Sequence, residues 1–126
     1  MSTPSDCRVS DTHEWFRVNG NTVTMGITQH AADALTDITY VAMKPAGTAV
    51  AAGGIVGDVE SVKTTSEIYS VAAGKIVEVN ADAAKDPSLL NSDPYGKGWL
   101  LKLEVADASA ILALPNGADY DKKHGH

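Results

Sequence analysis

Lys63 is the residue of this chain whose setting most favours chemistry. It lies in the polar segment 62–65, between two runs rich in β-branched and aromatic residues at 55–61 and 66–70. Such runs favour strands, and a short polar segment between them favours a tight turn. The pattern therefore predicts a hairpin with Lys63 close to its tip, where small neighbours leave the amine open to an enzyme that acylates lysines. For any one of the eight lysines, a solvated surface charge is the ordinary interpretation, and spacing alone does not exclude it.

The sequence contains no pattern typical of a catalytic or metal centre. It has neither a phosphate-binding loop that ends in Lys-Ser or Lys-Thr nor a Gly-x-Ser-x-Gly nucleophile motif. The four histidines lack the i, i+4 spacing and the cysteine partners that are typical of zinc ligands. We therefore expect no catalytic residues and no metal site.

Composition and charge predict one globular domain that works with other proteins. With 126 residues, of which 44% are hydrophobic and 21% charged, the chain suits a single core. No apolar run reaches the ~18 residues of a membrane span. The formal charge of -6 disfavours nucleic acid and favours basic patches on partner proteins. Because residues 1–8 lack signal and transit patterns, we expect a bacterial cytoplasmic protein, or a mitochondrial matrix protein if the chain is a processed form.

Two segments are predicted along the chain, a loose polar leader at residues 1–10 and a single domain at residues 11–126. The one cysteine, Cys7, falls in the leader, so that no intrachain disulfide can form. We expect no base beside Cys7 that would activate its thiol, and we interpret Cys7 as an incidental cysteine.

The elements that would position Lys63 are mainly short strands. Asn19-Gly20-Asn21 predicts a hairpin turn, and Thr28 predicts the N-cap of a helix at 29–35 with Ala31, Ala34 and Leu35 facing inward. Further strands are predicted at 22–27, 38–43, 75–79 and 98–105, and helical segments at 81–85, 87–90, 107–114 and 118–123. This alternation predicts a mainly β domain, closed or sandwich-like, with short helices and a helical C-terminus.

Five ordered motifs resemble those of the glycine cleavage H-protein family. The segment around Lys63 looks like the family's lipoyl-attachment site, and the other motifs resemble its N-terminal motif, the turn before its first helix and two later signatures. The motifs are VESVKTTSE at 59–67, HEW at 13–15, GIT at 26–28, GKIVEVN at 74–80 and NSDPYGKGWL at 91–100. They occur in the family's order and at its spacing, over residues 13 to about 103.

Two segments depart from the family's pattern. Val71-Ala72-Ala73 stands where the family usually has a proline and then a serine, and Met43-Lys44-Pro45-Ala46 stands where an acidic Leu-Pro segment is usual. The first change is expected to loosen the strand exit behind the Lys63 hairpin. Both changes leave open a specialised relative of the family.

The resemblance implies a barrel-sandwich hybrid fold, similar to that of lipoyl domains, with lipoate joined to Lys63 as N6-lipoyllysine. Such a chain is a carrier and a substrate for other proteins, not a catalyst. It would take the aminomethyl group of glycine from the P-protein to the T-protein and its dithiol to the L-protein. A lipoyl-attaching enzyme is a further implied partner, and a freely shuttling carrier is most simply a monomer.

The resemblance also implies a cleft that shelters the loaded arm. The positions that match the family's cleft are Thr12, Glu14 and Glu67. A protonated amine favours a carboxylate partner through a charge-assisted hydrogen bond, which either glutamate can accept. The competing interpretation is that both glutamates are ordinary solvated acids.

Four other functions compete with this interpretation. A biotinyl carrier usually has methionine on both sides of its lysine, whereas Lys63 lies between Val62 and Thr64. A lipoyl domain of a 2-oxo acid dehydrogenase would leave His13-Glu14-Trp15 and the C-terminal helices unexplained. An H-like paralogue that relays lipoyl groups to other lipoyl-dependent proteins stays open because of the departures at 71–73. The fourth alternative is a β-rich binding module in which Lys63 is never modified.

Overall fold

A computed structural model describes residues 3–124; residues 1–2 of the expected leader and 125–126 of the expected domain lie outside it. The strands are β1 (Arg8–Val9), β2 (Glu14–Asn19), β3 (Thr22–Ile27), β4 (Ile38–Met43), β5 (Ala49–Val50), β6 (Ile55–Ser61), β7 (Thr65–Tyr69), β8 (Gly74–Val79) and β9 (Leu101–Glu104). The helices are α1 (Gln29–Leu35), α2 (Ala81–Lys85), α3 (Leu89–Ser92), α4 (Ser109–Leu112) and α5 (Gly117–His124). These elements confirm the predicted mainly β fold with short helices and a C-terminal helix.

The strands form two antiparallel sheets that enclose a common core. The larger sheet has the order β1-β2-β3-β9-β8-β5, and the smaller has the order β4-β6-β7. Successive side chains of a strand point to opposite faces, so each sheet turns alternate apolar residues inward. Phe16 and Leu103 from the larger sheet and Val59 and Ile68 from the smaller are buried in one cluster. Between residues 3 and 124, no helix combines the length and the apolar character that crossing a membrane requires.

The predicted hairpin turn between β2 and β3 is confirmed. The two strands pair from Glu14 opposite Ile27 to Asn19 opposite Thr22. Gly20, in the turn, has φ 63°, a conformation that glycine adopts without the steric cost of a side chain. The turn therefore sets the register that places Trp15 opposite Gly26.

The prediction of a loose leader is wrong for residues 3–10. Strand β1 pairs with β2, and Cys7 is completely buried. Cys7 and Val9 belong to a second apolar group, which we call the aromatic cluster: Cys7, Val9, Trp15, Tyr95 and Tyr120. The segment is polar in composition, but its two apolar side chains cover the indole of Trp15, and this contact orders it. Burial raises the pKa of the Cys7 thiol to about 11, in keeping with an incidental cysteine.

Helix α1 has the predicted bounds, and two of the three residues predicted to face inward, Ala31 and Leu35, pack against the core. The Thr28 hydroxyl accepts a hydrogen bond from the Ala31 N–H at 3.1 Å, as the N-cap prediction requires. Ala32 is the buried residue of the helix, whereas Ala34, which we predicted to face inward, is exposed. Alanines stand at 31, 32 and 34, so the apolar pattern of so short a helix does not select one face.

The close approach of Trp15 to Gly26 makes the larger sheet sensitive to a single methyl group. A Cβ at position 26 would lie 2.8 Å from Trp15 Nε1, and the completely buried indole is held by a 3.0 Å hydrogen bond to the Pro94 carbonyl. We expect Gly26→Ala to lower the free energy of unfolding in urea by about 1–3 kcal/mol, the usual cost of overpacking.

A double-mutant cycle with Trp15→Phe provides the control, because the smaller ring makes room for the methyl group. In the Trp15→Phe background, Gly26→Ala should lower the free energy of unfolding by less than in the wild type. Equal losses of unfolding free energy in the two backgrounds would contradict the close approach of Trp15 to Gly26.

Candidate functional site

Lys63 lies at the exposed tip of the hairpin between β6 and β7, as predicted. Strand β6 ends at Ser61 and β7 begins at Thr65. Ser61 organises the turn, because its N–H donates to the Thr64 carbonyl at 2.8 Å. Its hydroxyl also accepts hydrogen bonds from the N–H groups of Lys63 and Thr64, at 3.1 and 3.2 Å. The Ser61 side chain therefore fixes the backbone of the turn, whereas the Lys63 side chain is exposed.

The connection between α1 and β4 supports the hairpin tip. The N–H of Val62 donates to the Asp37 carbonyl at 3.1 Å, and Lys63 Nζ donates to the Ala34 carbonyl at 3.2 Å. The carbonyl groups at a helix C-terminus have no partner within the helix and attract cations. The unmodified ammonium group therefore has a hydrogen-bond acceptor at the end of α1.

Glu14 is a buried carboxylate at the start of β2. Only 1% of its surface is exposed, and its Oε1 accepts hydrogen bonds from the hydroxyls of Ser10, at 2.5 Å, and Thr12. Its Oε2 accepts the N–H of Tyr69 on β7 at 3.1 Å. Burial raises the pKa of Glu14 above its ordinary 4.5, and the hydrogen bonds from Ser10, Thr12 and Tyr69 oppose that shift.

The three predicted cleft residues are therefore not equivalent. Thr12 and Glu14 are in direct contact. Glu67 is exposed on β7, two residues before Tyr69 and opposite Asp58 of β6, and residues two apart on a strand share a face. The interpretation as a solvated acid fits Glu67 in this state but not Glu14. Sequence reasoning missed Ser10, whose place in the supposed leader concealed its contact with Glu14.

A groove of ≈ 420 Å³ lies beside the Glu14 cluster. Its lining includes Ser10, Thr12, Tyr69, Val71 and Leu114. The apolar side chains suit a hydrocarbon chain, and the hydroxyls that bind Glu14 lie at the same groove. Two other depressions, each of ≈ 470 Å³, lie near Gly74 and Trp99 and contain none of the predicted site residues.

The strand exit behind the hairpin is held in place, in contrast to our expectation. The Ser70 hydroxyl donates to the Ala72 carbonyl at 2.7 Å and accepts the Ala72 N–H at 3.3 Å. The Ser70 backbone is bonded on both sides, to Gly53 at 2.7 Å and to Gly54 at 2.9 Å. These hydrogen bonds hold the backbone of Ser70 and Ala72 at the segment that lacks the proline.

A two-sheet β domain that displays a lysine on an exposed hairpin tip has the architecture of a carrier for a covalently attached group. The family model described as glycine cleavage H-protein matches residues 7–126. The chain is 43% identical over 121 residues to a glycine cleavage system H protein of Acinetobacter baumannii, covering 96% of this chain and 98% of the relative. It is 46% identical over 115 residues to that of Thermobifida fusca, covering 91% of each.

Plant and structural comparisons agree. The mitochondrial glycine cleavage system H protein 2 of Arabidopsis thaliana is 44% identical over 117 residues, covering 93% of this chain and 75% of the relative. The crystal structure of a glycine cleavage system H protein from Mycobacterium marinum matches with a TM-score of 0.87 and 36% identity, covering 98% of this chain and 99% of that one. The chain belongs to the glycine cleavage H-protein family, which confirms the resemblance, the lipoyl-domain-like fold and a lipoyl-carrier role in the glycine cleavage system.

The buried Glu14 carboxylate should give stability a measurable pH dependence. Its folded pKa is raised, so its contribution to stability is full below the unfolded pKa and is lost as the pH rises through the folded pKa. We expect the unfolding free energy of the wild type, minus that of Glu14→Gln, to fall as the pH rises above the ordinary pKa of 4.5 and to level off once the raised folded pKa is passed. Denaturant titrations at several pH values measure this difference.

Glu67→Gln, at an exposed position, is the matched control and should leave the pH profile of the wild type unaltered. A Glu14→Gln difference that stays flat or rises with pH would contradict the inferred direction.

Proposed function

We propose that this chain carries lipoate as N6-lipoyllysine at Lys63 and shuttles between the P-, T- and L-proteins of the glycine cleavage system. The single observation that carries the proposal is the exposed Lys63 amine at the tip of a serine-organised turn. The match to the family supports the glycine cleavage system as its setting. The chain itself supplies attachment, shelter and docking, and its partners supply catalysis.

The surroundings of Lys63 fit an attached lipoyl group. Its side chain is exposed, and its neighbours Val62 and Thr64 are small enough to leave the amine accessible. Acylation removes the positive charge, so the attraction to the Ala34 carbonyl weakens when the lysine becomes an amide. The arm is then free to leave the end of α1. When bound, lipoate supplies a dithiolane that accepts an aminomethyl unit and electrons from one partner and surrenders both to others.

Glu14 retains the capacity to receive an amine in the groove. A carboxylate offers about four lone-pair sites, and three donors occupy Glu14, two on Oε1 and one on Oε2. Glu14 itself is 1% exposed, and its donors Ser10, Thr12 and Tyr69 line the groove, so a protonated amine would reach the carboxylate by passing or displacing one of these donors. Thr12 holds the carboxylate in orientation, and Glu67 provides a second negative charge on the same strand as Tyr69.

The charge of the chain suits transient docking. A formal charge of -6 steers basic partner surfaces toward the carrier without requiring a tight complex. We propose a monomer that is modified by a lipoyl-attaching enzyme. Related H proteins occur in bacteria and in plant mitochondria, and we propose the bacterial cytoplasm or, for a processed form, the mitochondrial matrix as the compartment.

The attachment site is tested by intact mass and peptide mapping of protein from cells supplied with lipoate. We expect one lipoyl increment, on the peptide that contains Lys63. The increment should be absent in Lys63→Arg, which keeps the charge, and present in the control Lys97→Arg at another exposed lysine. An unmodified wild type in lipoylating cells would contradict the carrier function, and a biotin increment would assign the chain to a different carrier class.

The cleft is tested by the rate at which the loaded carrier loses methylamine. Replacing both carboxylates, Glu14→Ala with Glu67→Ala, removes charge-assisted hydrogen bonds and should speed release by roughly 10-fold or more. Glu104→Ala, at an exposed acid on β9, is the control and should release at the rate of the wild type. Equal release rates in all three proteins would remove the sheltering role.

A further inference from the structure

We propose that Asn91 is a positioning residue for Lys63, because it holds the strained segment on which the hairpin tip rests. The proposal rests on the proposed acylation of Lys63 and adds the part of the chain that prepares the tip for it. Asn91 lies in α3, 28 positions further along the chain than Lys63.

The tip depends on one short segment for its external support. Lys63 Nζ donates to the Ala34 carbonyl at 3.2 Å, and the Val62 N–H donates to the Asp37 carbonyl at 3.1 Å. The Ala34 carbonyl belongs to the last turn of α1, and the Asp37 carbonyl belongs to the two-residue connection between α1 and β4. Any displacement of this connection would therefore move Val62, the residue before Lys63, or release the Lys63 side chain.

Thr36, at the centre of the connection, has a strained backbone. Its φ is 63° and its ψ is -138°. This region is disfavoured for residues with a side chain, and most strongly for β-branched ones, whereas glycine adopts it freely. Such conformations persist only where the surroundings over-determine them. Some part of the structure must therefore hold Thr36 in place.

The side-chain amide of Asn91 brackets the strained residue. Its Nδ2 donates to the Thr36 carbonyl at 2.7 Å, and its Oδ1 accepts the Ile38 N–H at 3.1 Å. The acceptor on one side and the donor on the other fix the orientation of the amide. The neighbouring Leu90 is completely buried, so that Asn91 is presented from an anchored turn.

A held tip matters for the acylation step. The reaction joins Lys63 Nζ to the carboxyl carbon of an activated lipoyl donor, an acyl adenylate or a thioester. The bond from that carbon to the adenylate or thiol breaks, and the ammonium group loses two protons in total. If only a fraction of the chains presents the tip correctly, the apparent affinity of the enzyme for the chain falls by that fraction. A loss of positioning should therefore raise KM and leave kcat unaltered, because a chain whose tip has bound the enzyme is acylated at the normal rate.

The test is steady-state lipoylation of the full-length unmodified chain by a lipoate–protein ligase with lipoate and ATP. We expect Asn91→Ala to raise KM for the chain at least ~5-fold with little change in kcat. Asn91→Asp, which keeps an acceptor for Ile38 but loses the donor to Thr36, provides a second variant if the alanine variant folds poorly. The double variant Asn91→Ala with Thr36→Gly should recover most of the KM, because glycine needs no clamp at φ 63°.

Asn80→Ala is the matched control. The Asn80 side chain makes three hydrogen bonds, to Lys97, Trp99 and Asp82, against two for Asn91, and none of the three reaches residues 34–38. Its loss should lower stability without raising KM. Hydrogen exchange in the unmodified chain should be faster at residues 34–38 and 61–64 in Asn91→Ala, and not in Asn80→Ala.

Three results would overturn the proposal: an unaltered KM in Asn91→Ala, an equal rise in Asn80→Ala, or a double variant as impaired as Asn91→Ala. Failure of the wild-type chain to be lipoylated would instead contradict the function proposed above. The hydrogen-exchange comparison needs no ligase, so it tests the positioning role separately from the function.

Discussion

Helix α1 is fixed at both ends by residues from distant parts of the chain, and the position of Lys63 depends on it. At its start, the Tyr95 hydroxyl accepts the Gln29 N–H at 2.9 Å, and the Tyr120 hydroxyl lies 3.1 Å from the Thr28 cap. Burial raises the pKa of Tyr95, and that of Tyr120 to about 12, so both phenols stay protonated near neutral pH. The aromatic cluster thereby connects the N-terminal segment and α5 to the helix whose far end supports the hairpin tip.

Glu14 shows how one residue serves the fold and the site together. Its carboxylate ties the segment before β2 to the Tyr69 N–H of β7, across the boundary between the two sheets. Burial opposes ionisation, and the donors from Ser10 and Thr12 offset part of that cost. A purely structural role would be served as well by an apolar contact. Under the proposed cleft role, the carboxylate would serve an amine in the groove that its donors Ser10, Thr12 and Tyr69 line.

Local chemistry predicted most of the elements near Lys63, and tertiary contacts decided the rest. The turn at Gly20, the Thr28 cap and the bounds of α1, β4 and β6 each depend on residues within a few positions. Strands β1 and β5 contain two residues each, too few for any periodicity, and form only because longer strands offer edges to pair with. Thr12 and Glu14 were identified through family resemblance, whereas Asn91 acts across more than fifty positions, a distance that no local pattern spans.

The contact between Lys63 and Ala34 must be weak for a carrier to work. An exposed ammonium gains little from a carbonyl in water, since solvent screens the attraction, so the contact can orient the amine without hindering a modifying enzyme. The hydrogen bonds that form and support the turn run from the Lys63 N–H to the Ser61 hydroxyl and from the Val62 N–H to the Asp37 carbonyl. They involve no charged group, so acylation of the lysine side chain does not remove them. On the proposed acylation of Lys63, the tip would therefore keep its shape. What changes on modification is the freedom of the side chain, which is the property that a swinging arm requires.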